Sequence, residues 1–171
     1  MKFIKIIALL LAAVLGLSAC QAKPQVEDQP EITYADMAGV ITEITDAYIL
    51  INTPDQGEVQ VNVGEQTVYE GTAIAVGDYI HVTYDGKMTR SLPPQISALR
   101  VGCYVRTGVV GAVEEGGFML SAEGEEIRVN AEASVMEGVA EGMTVTVYFN
   151  GAMSMSLPAQ IGAEIIVIRN S

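Results

Sequence analysis

The chain has 171 residues, 21 acidic side chains against nine Lys and Arg, and a formal net charge of −12 at pH 7. A surface of that sign opposes a nucleic-acid partner, because such binding draws most of its affinity from Lys and Arg neutralising phosphates. One histidine and two cysteines are too few for a His/Cys metal cluster, so no metal or other cofactor is expected.

Residues 1–20, MKFIKIIALLLAAVLGLSAC, set Lys2 and Lys5 before an apolar run from Ile6 to Leu15 and end on small residues. That is the plan of a secretory signal, too short and wrongly flanked for a permanent membrane span. Leu17-Ser18-Ala19-Cys20 resembles the bacterial lipobox, in which cleavage precedes the cysteine and its thiol carries diacylglycerol. The resemblance implies a mature chain anchored through lipid on Cys20 to a cell membrane, with its folded part facing the extracytoplasmic side. Loss of the two lysines moves the charge from −12 to −14. No basic cluster follows Cys20 to seek anionic headgroups. Residues 21–36, QAKPQVEDQPEITYAD, read as a flexible acidic tether. With Cys20 committed to lipid, Cys103 has no partner for a disulfide and reads as a buried strand cysteine.

From Met37 the periodicity is two. GEVQVNV sets Val59, Val61 and Val63 against Glu58, Gln60 and Asn62, and DYIHVTYDG sets Ile80, Val82 and Tyr84 against Tyr79, His81 and Thr83. Strict alternation marks strands with one buried face. Strands are expected near 38–45, 48–53, 58–63, 78–84 and 96–101, then near 107–113, 117–121, 126–131, 143–149 and 162–168, with Gly, Asp, Asn and Pro in the turns between them. No stretch past the signal has the period and caps of a helix, so the class is all-β.

Self-comparison sets the architecture. Laid over each other without a gap, 77–101 and 142–166 are identical at ten of 25 positions, among them Gly86/Gly151, Met88/Met153, Gln95/Gln160, Ile96/Ile161 and the block SLPPQI against SLPAQI. Two copies of one unit are expected, 37–103 and 104–171. Five short strands in each leave open edges unless the sheet closes, which favours two tandem small OB-like barrels, or alternatively SH3-like ones. The segment GEQTVYEGTAIAVG occupies the place of the usual OB helix but is too rich in glycine and β-branched residues to form one. No linker separates the copies, so they are expected to pack closely or share a strand path.

The stretch VGDYIHVTYDGKMTRSLPPQISA resembles the closing stretch of small domains in bacterial lipoproteins of the YobA-like group; the second copy departs from it at Met143 and Asn150, which replace Asp78 and Asp85. The resemblance implies a small β-barrel lipoprotein domain and brings neither a reaction nor a ligand.

Candidate sites are few. His81 is expected on the more exposed strand face, and its counterpart is Thr146, an unsuitable base or ligand. Gly-x-Ser-x-Gly is absent, and one histidine cannot activate both Ser91 and Ser156. The chain therefore reads as a non-enzymatic binding or adaptor module for an envelope protein, peptide or glycan. The alternatives are a carboxylate-dependent hydrolase and an acidic calcium-binding lipoprotein, the latter with carboxylates from 114–117 (EEGG) and 123–126 (EGEE) facing one another. Met88, Ser91, Gln95, Met153, Ser156 and Gln160 form the candidate binding lip between the fourth and fifth strand of each copy.

Overall fold

The computed structural model describes residues 33–169; the expected signal, Cys20 and the expected tether up to residue 32 lie outside them. The last tether residues, Ala35 and Asp36, instead pair with Tyr84 and Thr83 as the start of a strand. The described residues contain ten strands and no helix: β1 (Ala35–Ile44), β2 (Tyr48–Thr53), β3 (Gly57–Asn62), β4 (Val68–Gly71), β5 (Tyr79–Tyr84), β6 (Gln95–Glu114), β7 (Gly117–Ala122), β8 (Glu125–Asn130), β9 (Thr144–Met153) and β10 (Ala159–Arg169).

Their pairings close two rings. In the first, β1 pairs with β2 and β5, β2 with β3, β5 with β6, and β3 runs parallel to β6 through Gln60–Asn62 and Gln95–Ser97. In the second, β6 pairs with β7 and β9, β7 with β8, β9 with β10, and β8 runs parallel to β10 through Ile127–Asn130 and Ala159–Gly162. The parallel pair between third and fifth strand is the OB-like arrangement. Closure leaves no open edge at that seam.

The two rings share one strand and belong to one compact unit. Up to Cys103, β6 pairs with β3, β4 and β5, and from Tyr104 with β9 and then β7. The segment expected to lack a helix instead supplies β4, laid parallel to Arg100–Cys103 of β6. Its counterpart after β8 forms turns, with Val135 and Met136 amides donating to the Glu132 carbonyl.

Alternation places the cores where expected for one face of each strand. Val59, Val61, Ile80, Val82, Val145, Val147 and Phe149 are buried. Removing that apolar area from water supplies the main driving force, about 1.5–3 kcal/mol per fully buried side chain. The exposed-face expectation for β9 fails. Thr146 and Tyr148 are only 3% and 4% exposed: Tyr148 meets the first ring, and Thr146 is held between Thr107 and Arg169. Tyr148 enters the first core, joined by Val105, Ile165 and Val167, and its hydroxyl donates to Asp78 Oδ1 at 2.8 Å. Thr146 shares a hydroxyl bond with Thr107 at 2.9 Å and accepts from Arg169 Nε at 3.0 Å. The Asp78/Met143 difference between the copies follows: only Asp78 serves Tyr148, while its Oδ2 accepts the Ala75 amide.

Candidate functional site

The chain leaves β5 and β9 through matching turns. Asp85 Oδ1 accepts the Lys87 amide at 3.1 Å, and Asn150 Oδ1 accepts the Ala152 amide at 3.0 Å. Asn therefore replaces Asp here without loss, in a side-chain turn completed by Gly86 and Gly151 at positive φ. Beyond each turn the SLPPQI and SLPAQI blocks form hooks with the same hydrogen-bond relay. The Gln95 amide donates to Thr89 Oγ1 at 2.8 Å, Thr89 and Ser91 hydroxyls meet at 2.7 Å, and Ser91 Oγ donates to the Pro93 carbonyl at 2.7 Å. Since the one Ser91 proton goes to Pro93, Thr89 is the donor between the hydroxyls. In the second hook the same steps run from Gln160 through Ser154 and Ser156 to Pro158, at 2.9, 2.7 and 2.8 Å. The Leu92-Pro93 and Leu157-Pro158 bonds are both cis.

The lip residues thus divide. Ser91 and Ser156 are committed within the hooks, and Gln95 and Gln160 accept from Asn62 and Asn130 of the neighbouring strand at 3.4 and 3.2 Å. Met88 packs half-buried on the first core, whereas Met153 remains 38% exposed. Ile96 and Ile161 are core. The leucine of the repeated block packs against nothing within its own hook. Leu92 is 96% exposed and Leu157 is 99% exposed, with Met155 fully exposed beside it. Residue-type reasoning missed these, drawing the lip from Met88, Ser91 and Gln95 and their counterparts and leaving out Leu92 and Leu157. The signal lay in an apolar side chain spelled twice inside a polar loop.

Beside the second hook lies a groove of ≈ 710 Å³. Met119, Met155, Leu157 and Pro158 give it an apolar bed, and Glu125 and Glu126 flank it. The size suits a few side chains of a partner.

The seam between the rings holds the second polar cluster. His81 Nε2 lies 3.1 Å from Glu164 Oε2, with side chains 24% and 33% exposed, and neither atom has a hydrogen-bond partner among the described residues. Tyr79 stands edge-on to the His81 ring at 5.4 Å. His81 is thus half-buried beside a carboxylate rather than free on an open face. Tyr104 donates to Glu70 Oε2 at 2.6 Å, and Glu70 Oε1 contacts Arg100 Nε at 3.4 Å.

Burial, followed by the Glu164 carboxylate, pushes the Tyr79 hydroxyl up to about 12. Burial and the bond to Asp78 do the same for Tyr148, and burial raises the Cys103 thiol to about 11. Cys103 is thereby protonated at neutral pH and a poor nucleophile. In an unfolded chain tyrosine ionises near pH 10. Between about pH 10 and 12 the unfolded state has lost protons that the folded state still holds, so rising pH favours unfolding. The urea midpoint is expected to hold up to about pH 9 and fall steadily towards pH 12, and Tyr79→Phe is expected to shallow that fall. A midpoint independent of pH through this window would contradict the assignment.

No group of three His, Cys, Asp or Glu able to hold a metal occurs among the described residues. The two acidic turns do not face one another: they cap opposite ends of β7, and Glu114 is paired with Arg128 at 2.6 Å.

No protein-family model matches the chain, and no curated protein matches it. Among solved structures, Drosophila Unr CSD456 aligns over 75% of this chain at 12% identity and a TM-score of 0.27. A multidomain protein with nucleic acid binding domains from Streptococcus pneumoniae TIGR4 aligns over 80% at 14% identity and a TM-score of 0.24. The aligned part spans 61% of the first of those chains and 45% of the second. The all-β class rests on the strand pairings themselves.

Proposed function

We propose that this chain is a lipid-anchored, non-enzymatic binding module on the extracytoplasmic side of a bacterial cell membrane, and that its two hooks grip a protein partner. The carrying observation is the pair Leu92 and Leu157, held almost wholly in solvent by loops whose other repeated residues serve the fold. Exposed apolar side chains on rigid supports favour a contact, because the loop is ordered before binding and each buried leucine adds about 1.5–3 kcal/mol. Leu and Met tips suit a protein or peptide surface better than a glycan. The acidic charge disfavours nucleic acid. The signal-like leader, Cys20 and the YobA-like closing stretch support the anchor and the lipoprotein class.

A photo-crosslinking residue placed at Leu92 or Leu157 in the full chain, in cells of its own species, is expected to capture a discrete protein. The same residue at Val76, an exposed apolar position at the opposite end of β5 from the hook, serves as control. Equal capture at all three positions would reject the hooks as the contact site.

A further inference from the structure

We infer that the hook of the first ring docks, in a second copy of the chain, into the groove beside the hook of the second ring. The inference rests on the reading of the hooks as contact sites and names their partner.

The argument comes from how the two copies of the unit differ. The first hook carries Lys87 and Arg90, both exposed, where the second carries Ala152 and Met155. The second ring has Glu125 where the first has Gly57, and it retains Glu126 opposite Glu58. One hook has thus become a basic tip bearing Leu92, and the bed beside the other has become apolar with an acidic rim. Two changes of opposite sign at structurally matched places make the first hook complementary to the second groove, and neither copy complementary to itself.

Charge and space agree with that pairing. Arg90, Glu125 and Glu126 form no ion pair among the described residues. Lys87 reaches only its neighbour Asp85 at 3.2 Å, with 86% of its side chain in solvent. Such an exposed pair stabilises little and is readily exchanged for a better-shielded one. The groove's ≈ 710 Å³ accommodates Leu92 against Met119, Met155 and Leu157, with Lys87 and Arg90 over the two glutamates. Hook and groove belong to different rings, so docking joins unlike surfaces, either reciprocally in a closed pair or head-to-tail in rows. The charge of −14 expected for the mature chain repels copies at long range. Docking is therefore weak in dilute solution and favoured when copies are held together at one surface, where their effective concentration is high.

The test uses the full chain in membranes, with a short bismaleimide as crosslinker. Leu92→Cys and Met155→Cys replace fully exposed side chains and leave both cores intact; Cys103 is buried, and the unmodified chain reports any background from Cys20. A mixture of the two variants is expected to give a crosslinked dimer, while each variant alone gives only background, because hook-to-groove docking brings position 92 to 155 and not to itself. Adding Glu125→Lys and Glu126→Lys to the Met155→Cys chain is expected to cut the yield about tenfold, the effect of roughly one well-placed charge pair. Adding Lys87→Glu and Arg90→Glu to the Leu92→Cys chain is expected to restore it.

The inference is overturned if the mixture yields no more than a Val76→Cys and Met155→Cys pair, if charge reversal changes nothing, or if Leu92→Cys crosslinks to itself. Photo-capture at Leu157 of a different protein, with no self-product, overturns self-docking and leaves the hooks as a contact site. Loss of both products rejects both readings.

Discussion

Tyr148→Ala is expected to destabilise the protein by about 3–5 kcal/mol, the range for removing a large buried aromatic. The side chain is 4% exposed, yet it grows from β9 of the second ring and fills the core of the first. Its removal opens a cavity in one ring and strips the cover from a strand of the other. It also takes away the 2.8 Å hydroxyl bond to Asp78, whose carboxylate keeps only the Ala75 amide. Tyr148→Phe separates the two contributions. It retains the ring and loses the bond, and about 1.5–3 kcal/mol is expected for a hydrogen bond to a charged group. Urea unfolding followed by far-ultraviolet circular dichroism measures both, since the chain has no tryptophan to report. The unmodified protein is expected to unfold in one transition and Tyr148→Ala in two, because this residue couples the rings. A loss below about 1 kcal/mol for the alanine variant, with one transition retained, would show that the seam contributes little.

A shared strand was expected from the missing linker, but the residues that form that seam were hidden in the sequence. Alternation within one strand names its buried face, so Val145, Val147 and Phe149 were legible, and the ten expected strands match observed ones in position, two of them as halves of the long β6. A strand buried on both faces looks the same in its alternation when the second face carries Thr146 and Tyr148, residues that sit equally well in solvent. Their burial depends on β6 passing from one ring to the other without a break, which is long-range information. The same cause hid the pairing of His81 with Glu164, which lie 3.1 Å apart on strands of different rings. β4 was missed because four residues beside a turn are too short to show a period. For the hooks, the duplicated block pointed to the correct loop; Ser91 and Ser156 serve its irregular backbone, whereas Gln95 and Gln160 meet the side chains of Asn62 and Asn130. The exposure of Leu92 and Leu157 was signalled only by their repetition inside a polar loop, since nothing local distinguishes an apolar residue turned out from one turned in.

The glycine that opens each unit has an energetic reason that a second substitution series tests. A Cβ built on Gly108 would lie 2.2 Å from the Ser121 carbonyl oxygen and 2.8 Å from its carbon; on Gly39 it would lie 2.7 Å from the Asn52 oxygen. Both obstacles are backbone of the adjacent strand, held in the β6–β7 and β1–β2 ladders, so no side-chain rotation relieves them. Glycine here permits a close strand crossing at the ring's corner. Gly108→Ala is expected to cost about 3 kcal/mol, the upper end for overpacking, because relief requires the ladder to part. Gly39→Ala is expected to cost less, at about 1–2 kcal/mol, since its contact is half an ångström longer. Gly162→Ala is the counterpart: it also sits in a strand, but its Cβ would meet nothing within 4 Å, and the variant is expected to gain up to about 0.5–1 kcal/mol from reduced freedom of the unfolded chain. The order Gly108, Gly39, Gly162 in loss of melting temperature is therefore set by the distance to the opposing carbonyl. Equal losses at all three positions would mean that strand propensity, and not the crossing, selects glycine.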